Sequence, residues 1–491
     1  MDWGGSESQE PARMFRGRIS YNFGMRFGGR ALGGVISLFA LHLATHHFGP
    51  SRWGSVVAAM AFVAVFAAVS DFGLQSILSR DLSVPGNDSS SLFGAALVAI
   101  PMIVLPMSVI AALLDLALYS GHSRTRGVVY ILLGTIPCMA VWLVSTSVLV
   151  ARSRNDVRAL LDVGSSLLGL GVIGVAIFGH LGVEMYAALL TASTCATAGA
   201  SIRIASRYVS PVIRCARGDV LRLLRRSLPL GVSSSTNALY GQVDTIIISL
   251  LAASTAVAAF GVASQIAGFL VSIPSMLMVA MTPHAMRRDE AGRRVLLQRA
   301  FDVLVAIAAA VPLLAVIFCR GAVSAVAGGR YGSAVIPLML LLCAAALAFP
   351  SAVLGQGLIF FGGEKHLPGT VATALVVNVL GNVFAVRLDG ITGAALVMIA
   401  SEAVVLVLLA RSFRSVAGYL PSIVRGGKAA CISAVLAAVF AVCDALHDVP
   451  SLHGPMLVPE VVVVITCYAV LVWVVGKLLP DGKAGGVVRA S

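Results

Sequence analysis

Long apolar runs separated by short polar segments extend over almost the whole chain. An α-helix that crosses the hydrocarbon core of a membrane needs about 20 predominantly apolar residues, and fourteen runs reach that length. These predicted membrane-spanning segments, numbered as spans 1 to 14, are residues 24–48, 53–78, 92–119, 127–151, 160–180, 182–202, 228–251, 255–281, 301–327, 334–361, 367–387, 390–410, 424–446 and 457–479. Very short turns separate span 5 from span 6, at Gly179–Gly182, and span 11 from span 12, at Asp389–Gly393.

The segments between the spans differ strongly in positive charge. If the N-terminus lies in the cytoplasm, the cytoplasmic segments hold 29 of the 35 Lys and Arg residues and the outer segments hold 6. Cytoplasmic loops of membrane proteins carry such an excess of positive charge. Because one missed span would move every later loop to the other side, this alternation favours an even number of spans with both termini in the cytoplasm.

The composition is that of a membrane protein rather than a soluble one. Hydrophobic residues make up 58% of the 491 residues and charged residues 12%, about half of the charged fraction that is usual in soluble domains. We therefore expect an all-α polytopic membrane protein. The net charge of +13 does not indicate a nucleic-acid partner, because the basic residues cluster in the short loops that set topology. Residues 1–20 are polar and lack the apolar core of a cleavable signal peptide.

Two weak internal matches suggest a duplicated unit. Gly390–Leu396 matches the glycine and alanine spacing of Gly179–Leu189 at an offset of 211 residues, and Thr255–Gly261 corresponds to Phe48–Gly54 at an offset of 207, which also places Arg80 on Arg287. These offsets predict two six-helix bundles related by a pseudo-two-fold axis along the membrane normal. The predicted domains are a cytoplasmic tail at 1–20, bundles at 21–205 and 227–412, a basic cytoplasmic linker at 206–226, appended helices 13 and 14 at 413–480 and a cytoplasmic tail at 481–491.

Span 7 carries a polar stripe with an acid well inside the apolar run. Asn237, Tyr240 and Asp244 recur at helical spacing and therefore share one face. A carboxylate is expensive to expose to lipid, so this face is expected to border protein or a water-filled cavity. Arg26 and Arg30, one turn apart on span 1, are candidate partners of Asp244. Their forked donors would also suit a pyrophosphate, unless they are a pair that extends to the membrane interface.

Three amides within the spans are further candidates for substrate contact. Gln265, Gln356 and Asn378 would bind the hydroxyl groups of a sugar, but amides inside helix bundles more often hydrogen-bond neighbouring helices. Asn378 is followed one turn later by Asn382, so these two amides share a face. Both interpretations are open at this point.

Four charged residues, Asp71, Arg80, Asp244 and Glu402, are candidates for gating or ion coupling. Asp71 lies near the cytoplasmic end of span 2, nine residues before Arg80, and is either an acid of a gate or a charge solvated at the interface. Glu402 lies in the middle of span 12. It would titrate in proton coupling or pair structurally with another helix. Asp244 belongs to this coupling set as well.

Motifs for enzymes and metal sites are missing from the sequence. The P-loop pattern G-x-x-x-x-G-K-[ST], the metalloprotease pattern HExxH and the hydrolase pattern GxSxG do not occur, nor do the paired aspartates of a metal-dependent glycosyltransferase. The eight cysteines have no ligand spacing and are expected to be small packing residues. We therefore predict neither an enzyme nor a metal site, and no cofactor beyond a coupling H⁺ or Na⁺.

Short motifs over about residues 20–480 carry a family resemblance. They are Asp71-Phe72-Gly73-Leu74 with Arg80; Arg226, Pro229, Gly231, Tyr240 and Asp244; Phe260-Gly261-Val262-Ala263 with Pro283; Gly329-Arg330-Tyr331-Gly332; and Asn378, Asn382 and Gly390. In order and spacing they resemble the polysaccharide-unit (O-antigen or exopolysaccharide) flippases of the multidrug/oligosaccharidyl-lipid/polysaccharide exporter superfamily. The resemblance implies two six-helix bundles with two C-terminal helices, which flip undecaprenyl-pyrophosphate-linked oligosaccharides across the bacterial inner membrane.

The resemblance also implies partners and leaves alternatives open. The expected partners are the lipid-linked oligosaccharide, the lipid bilayer, and the polymerase and export machinery of a surface polysaccharide pathway (exopolysaccharide, O-antigen or capsule). A cation-coupled multidrug exporter of the same superfamily should have an aromatic and acidic cavity, whereas span 1 is basic. A peptidoglycan-precursor flippase is poorly separated by sequence. A membrane polymerase would need a large outer loop with catalytic residues, which the predicted topology does not provide.

Overall fold

The structure, a computed structural model, describes residues 10–84, 88–212, 217–423 and 427–428. Apart from turns, these residues form α-helices and two short 3-10 helices, Gly329–Ala334 and Glu364–His366. The α-helices are α1 Glu10–Asp71, α2 Leu74–Asp81, α3 Ser89–Leu118, α4 Ser123–Leu132, α5 Thr135–Ala151, α6 Asn155–Phe178, α7 Val183–Ala205, α8 Arg217–Leu251, α9 Ser254–Met286, α10 Glu290–Ala327, α11 Val335–Phe360 and α12 Leu367–Ala417.

Nine helices of the described ranges are long and apolar enough to cross a membrane, as the all-α polytopic prediction requires. Helix α8, which contains span 7, is not among them, since its polar stripe lowers its hydropathy. Spans 1 to 12 all fall on helices, while spans 13 and 14 lie outside the described residues apart from Gly427 and Lys428. The total of fourteen spans therefore stays a prediction.

Several predicted loops are sharp breaks inside continuous helical runs. Spans 1 and 2 meet within α1 at Gly49, which has a φ of 72° and is followed by Pro50. Glycine adopts this conformation without strain, and proline supplies no N–H to the helix on its N-terminal side. Spans 11 and 12 likewise meet within α12, at Asp389 and Gly390. The predicted turn between spans 5 and 6 is present, because α6 ends at Phe178 and α7 begins at Val183.

A second break, between α1 and α2, divides span 2 near its end. Phe72 and Gly73 adopt positive φ angles of 48° and 74°, and these two residues turn the chain between the helices. The left-handed conformation costs a non-glycine residue about 1–2 kcal/mol, so tertiary contacts must hold Phe72 in place. Leu74 and Leu78 of α2 are fully buried and anchor the short helix after the break.

The chain forms two compact units, one up to Leu250 and one from Leu251. In the first unit, α1 packs against α5 and α6, and α5 packs against α7. In the second unit, α11 packs against α9, α10 and α12. Its core contains buried side chains from these helices, such as Met278, Leu304, Phe349 and Phe413. Helix α8 begins at Arg217, so the last ten residues of the predicted linker are helical and continuous with span 7; the predicted domain boundaries stay predictions.

Candidate substrate and gating site

An ion pair joins the start of α8 to the end of α2. Arg226 donates from Nη2 to Asp81, with distances of 2.9 Å to Oδ2 and 3.2 Å to Oδ1. The Asp81 side chain is 9% exposed and that of Arg226 is 50% exposed. Such a partly buried, doubly contacted pair is held more firmly than an isolated surface pair. It fixes the first turns of α8 against the α1–α2 break.

The backbone of α8 also lies directly against this break. A Cβ atom on Gly73 would lie 2.7 Å from the Gly231 nitrogen and 2.9 Å from the Ser227 carbonyl oxygen. A Cβ atom on Gly231 would lie 2.8 Å from the carbonyl carbon and oxygen of Phe72. Two glycines therefore permit a contact that no larger residue would allow. We call this backbone contact, together with the Asp81–Arg226 ion pair, the α8 junction.

Asp71 stabilises the break from inside it. Its side chain is buried, and Oδ1 accepts a hydrogen bond of 3.2 Å from the Gln75 backbone N–H. This N–H belongs to the first turn of α2, where backbone donors have no partner within the helix. Asp71 thus has a structural role, because it accepts a hydrogen bond from a donor at the start of α2 that lacks a helical partner. A role of Asp71 in gating stays a prediction.

A shallow depression beside the junction is lined mostly by arginine. Its lining consists of Gly218, Leu221, Arg222, Arg225 and Arg226, which all lie on the first turns of α8. Arg222 pairs with Asp219 at 3.2 Å. We call this feature the arginine depression. Guanidinium groups with several donors on one surface suit phosphate oxygens.

The opposite end of α8 is also tied to the first unit. Tyr119, the residue after α3, shares a hydrogen bond of 2.6 Å with Ser249, between Oη and Oγ. Both residues are buried. Helix α8 is therefore held at the break by charge and backbone packing, and near its C-terminus by a buried hydroxyl pair.

The predicted polar stripe of α8 runs from an exposed end to a buried one. Asn237 is exposed, Tyr240 is half-buried and Asp244 is buried. The burial of Asp244 agrees with the expectation that its face borders protein. Arg26 and Arg30 lie on α1, but their side chains lie outside the described residues, so the predicted pairing with Asp244 stays a prediction.

The predicted amides have different surroundings. Gln265 is exposed on α9. Gln356 is half-buried and donates from Nε2 to the Thr282 hydroxyl at 3.1 Å, which joins α11 to α9. Asn378 is fully buried in α12, and its Oδ1 accepts a hydrogen bond of 2.9 Å from Asn382. The Gln356 contact is that of a helix-packing amide, whereas the Asn378–Asn382 bond lies within α12. Sugar contact by any of the three amides stays a prediction.

The remaining predicted charges occupy unlike settings. Arg80 is 81% exposed, with Nε 3.9 Å from Asp81 Oδ1, so it lies at the edge of the α8 junction. Glu402 is buried in α12. The structure thus brings Arg80 close to Arg226 through their shared acid, Asp81. The predicted roles of Arg80 and Glu402 in coupling stay predictions.

Sequence reasoning missed two acids. Asp81 lies at the end of the second span beside Arg80, where a charged residue is commonly solvated at the interface, and the available signal was the arginine pair before span 7. Asp115 lies near the end of α3, is fully buried, and has no hydrogen-bond partner for either carboxyl oxygen among the described residues. Its position inside an apolar run was the available signal, since ionisable residues there are costly and often functional.

A family model described as polysaccharide biosynthesis protein matches residues 28–287. The chain belongs to this family. The matched region contains the α1–α2 break, the α8 junction, the arginine depression and the polar stripe of α8. The family resemblance predicted from the sequence is therefore confirmed, and the residues gathered around α8 lie within its family-defining part.

Solved structures of transporters share the fold. The lipid II flippase MurJ, in an inward closed conformation, aligns with 93% of this chain and 98% of its own, with a TM-score of 0.75 and 13% identity. An inward-facing multidrug resistance transporter of the MATE family and MOP superfamily aligns with 81% of this chain and 94% of its own, with a TM-score of 0.64 and 15% identity. The Vibrio cholerae MATE transporter VcmN, in its bent form, covers 82% and 98%, with a TM-score of 0.56 and 14% identity.

These likenesses establish the fold but not the substrate. None of the curated proteins matches the chain. The chain belongs to the polysaccharide biosynthesis family and shares the fold of these solved transporters, and the all-α polytopic prediction is confirmed.

Proposed function

We propose that the chain flips undecaprenyl-pyrophosphate-linked oligosaccharide units across the bacterial inner membrane for the biosynthesis of a surface polysaccharide. The observation that carries this proposal is membership of the polysaccharide biosynthesis family, joined to a fold that resembles a lipid-linked precursor flippase along nearly its whole length. The head group of such a substrate is large, polar and doubly charged. It needs a protein-lined path through the membrane, because hydrocarbon does not solvate it.

In this mechanism the sugar-pyrophosphate head enters a central cavity while the prenyl tail stays in lipid. Arg26 and Arg30 would hold the pyrophosphate, since guanidinium forks bind phosphate oxygens bidentately. Asn237, Tyr240 and Asp244 would border the head group along the stripe of α8. Gln265, Gln356 and Asn378 are the proposed contacts to sugar hydroxyls. Alternating access of two bundles would expose the cavity to each side in turn.

An ion gradient is the proposed source of energy. Protonation of an acid inside the membrane changes the cost of burying it, so such an acid can couple H⁺ or Na⁺ movement to a conformational change. Asp244 and Glu402 are the predicted carriers. The buried Asp115 is a third candidate, and Asp71 with Arg80 would act at the gate. We propose that both termini are cytoplasmic and that the polymerase and export machinery of the pathway receive the flipped product.

The deciding experiment combines genetics with chemistry. Deletion of the gene is expected to remove the surface polysaccharide and to accumulate complete lipid-linked repeat units, which mass spectrometry of lipid extracts would identify. Purified protein in vesicles should then move that lipid to the opposite leaflet, where a glycosidase added outside can digest it. Normal polymer and no accumulated intermediate in the deletion strain would refute the proposal.

A second candidate is the flipping of a peptidoglycan precursor. The observation that favours it is the 0.75 TM-score with the lipid II flippase MurJ. Its signature would be lethality on depletion, with accumulated lipid-linked peptidoglycan precursor and unchanged surface polysaccharide. New sensitivity to cationic dyes, with both lipid pools normal, would instead indicate a multidrug exporter.

A further inference from the structure

We propose that Arg226 is the switch of an anion-operated latch on α8. A phosphate or diphosphate group bound in the arginine depression would draw Arg226 away from Asp81 and release α8 from the α1–α2 break. The inference rests on the proposed function, because the diphosphate of a lipid-linked sugar is the ligand that such a latch would sense. It adds a trigger at the arginine-rich end of α8, apart from the polar stripe.

The first step is that Arg226 belongs to two sites at once. Its Nη2 contacts Asp81 at 2.9 Å, and the same side chain lines the arginine depression. Half of the side chain is exposed, so a ligand in the depression can reach it. A guanidinium offers five donors in a planar fork, but a close bidentate phosphate and a close carboxylate compete for the same positive charge.

The second step is the charge balance around the depression. Among the described side chains of the depression and the adjoining junction are four arginines (Arg80, Arg222, Arg225 and Arg226) and two aspartates (Asp81 and Asp219), and these six groups carry a formal charge of +2. A diphosphate diester carries one negative charge on each phosphate and would neutralise that excess. Arg225 is exposed and forms no ion pair with the residues that the structure describes. It is the natural first contact for the anion.

The third step is that Asp81 does not lose all its compensation when Arg226 leaves. Breaking a buried ion pair is expensive mainly because it strands a buried charge. Here Arg80 already lies 3.9 Å from Asp81 Oδ1 and is mostly exposed, so it is free to move closer. This arrangement makes the exchange reversible. It also gives Arg80 a specific role at the gate.

The last step is what the latch holds. Ser227 is fully buried, and Gly231 lies against the Phe72 carbonyl. This backbone contact is a van der Waals contact, which an anion does not affect directly. A change at Arg226 therefore acts on the junction through Asp81. Release should expose Ser227 to solvent, and this exposure can be measured.

The test uses the full chain in lipid nanodiscs made of phosphatidylcholine. Ser227→Cys is introduced after the eight native cysteines are replaced, and the rate of labelling by a charged maleimide is measured. Millimolar inorganic pyrophosphate is expected to raise that rate about 3- to 10-fold, as expected for loss of one partly buried ion pair. Asp81→Asn should raise the rate similarly without pyrophosphate. Arg225→Gln should abolish the response to pyrophosphate.

The control is Leu228→Cys at the neighbouring position. The Leu228 side chain is already half exposed, so this cysteine should be labelled at the same rate with and without pyrophosphate. Potassium chloride at matched ionic strength should leave the rate at Ser227→Cys unchanged; an equal rise would mean simple screening and would overturn the proposal. Calorimetric titration of pyrophosphate into the native sequence, compared with Arg225→Gln, tests binding without any introduced thiol. Equal heats of pyrophosphate binding in the two proteins would also overturn the proposal.

Two sources of the phosphate group are separated by the lipid composition. A full response in nanodiscs containing phosphatidylglycerol, without added pyrophosphate, would assign the depression to lipid head groups. A response to pyrophosphate alone would assign it to a diphosphate. Because labelling does not need transport, a chain that flips lipid-linked oligosaccharide without any labelling response refutes the latch alone. A chain with the response but no flipping refutes only the proposed function.

Discussion

Arginines are used differently in the two units of the chain. In the first unit, Arg226 pairs with the carboxylate of Asp81 at a broken helix. In the second unit, Arg293 and Arg294 donate to backbone carbonyl oxygens: Nη1 of Arg293 to Phe360 at 2.8 Å and Nη2 of Arg294 to Ala417 at 3.3 Å. Phe360 and Ala417 are the last residues of α11 and α12. A cation there satisfies carbonyl groups that lack a helical partner and complements the helix dipole.

Further contacts surround the second set of arginines. The Arg294 guanidinium lies 4.8 Å from the centre of the Tyr419 ring, and burial raises the pKa of Tyr419 to about 12, so the ring stays neutral at physiological pH. Gln298 accepts from the Ser422 N–H at 2.7 Å and donates to the Ser422 carbonyl at 3.0 Å. Arg294 also pairs with Glu290 at 2.7 Å within α10, but the bonds to Phe360, Ala417 and Ser422 end on backbone atoms, which neither titrate nor exchange with a dissolved anion. The comparison predicts that anions do not affect the helix ends of the second unit, whereas the end of α2 in the first unit responds to a bound anion.

The predicted internal repeat relates these two regions of the chain. The offset of 207 residues places Arg80 on Arg287, so the end of α2 corresponds to the end of α9. Helix α9 reaches Met286 as one helix, whereas its counterpart is interrupted at Phe72 and Gly73. The interruption is what gives α8 a surface to pack on. The proposed latch therefore lies where the two halves of the predicted repeat differ.

The largest expected effect comes from removing the close approach at the junction. Gly73→Ala forces a Cβ atom to within 2.7 Å of the Gly231 nitrogen at a φ of 74°, which should cost roughly 2–4 kcal/mol. Thermal unfolding in detergent, monitored by size-exclusion chromatography, should show a clearly lower midpoint for Gly73→Ala than for the parent protein. Gly241→Ala, in α8 with open space around it, should be neutral or slightly stabilising. Equal midpoints for the two variants would mean that α8 does not pack on the break.

The next effect concerns the helix ends of the second unit. Arg293→Ala and Arg294→Ala each remove a charged donor from a helix C-terminus and should destabilise the protein by about 1–2 kcal/mol, since both side chains are partly exposed. Arg299→Ala, on the same helix and exposed, is the matched control and should leave the midpoint unchanged. Any shift of the thermal midpoint that pyrophosphate causes in the parent protein should be the same in all three variants. An anion effect lost on Arg293→Ala would remove the distinction between the two units.

A charge exchange at the junction tests the first unit in the same way. Arg226→Asp and Asp81→Arg should each lower stability by about 1–2 kcal/mol, because like charges then meet at a partly buried site. The double exchange should recover most of the loss in thermal midpoint. It should not recover the labelling response to pyrophosphate, because an acid then lines the depression. Recovery of both properties would show that the arginine depression has no part in anion sensing.

The sequence predicted the helices better than it predicted their contacts. Apolar length located spans 1 to 12, and glycine with proline marked the break at Gly49. The pairing of Asp81 with Arg226 joins residues 145 positions apart, and no periodicity reports such a pair. The break at Phe72 and Gly73 was hidden because both residues fit an apolar run. Family motifs did include Gly73, Arg226 and Gly231, but only the fold explains them together, as one contact between α8 and the break.

The smallest expected effect tests whether Gln356 packs two helices together or contacts the sugar of the substrate. Gln356 and Thr282 form a single hydrogen bond between α11 and α9, which is worth about 0.5–1.5 kcal/mol. Gln356→Leu and Thr282→Val should lower the thermal midpoint to a similar extent, and the double variant should lose little more, since each change removes the same bond. If Gln356 only packs helices, flipping by the folded variants should fall in proportion to stability. A loss of flipping in Gln356→Leu that Thr282→Val does not share would place this amide against the sugar and give the second unit a responsive residue as well.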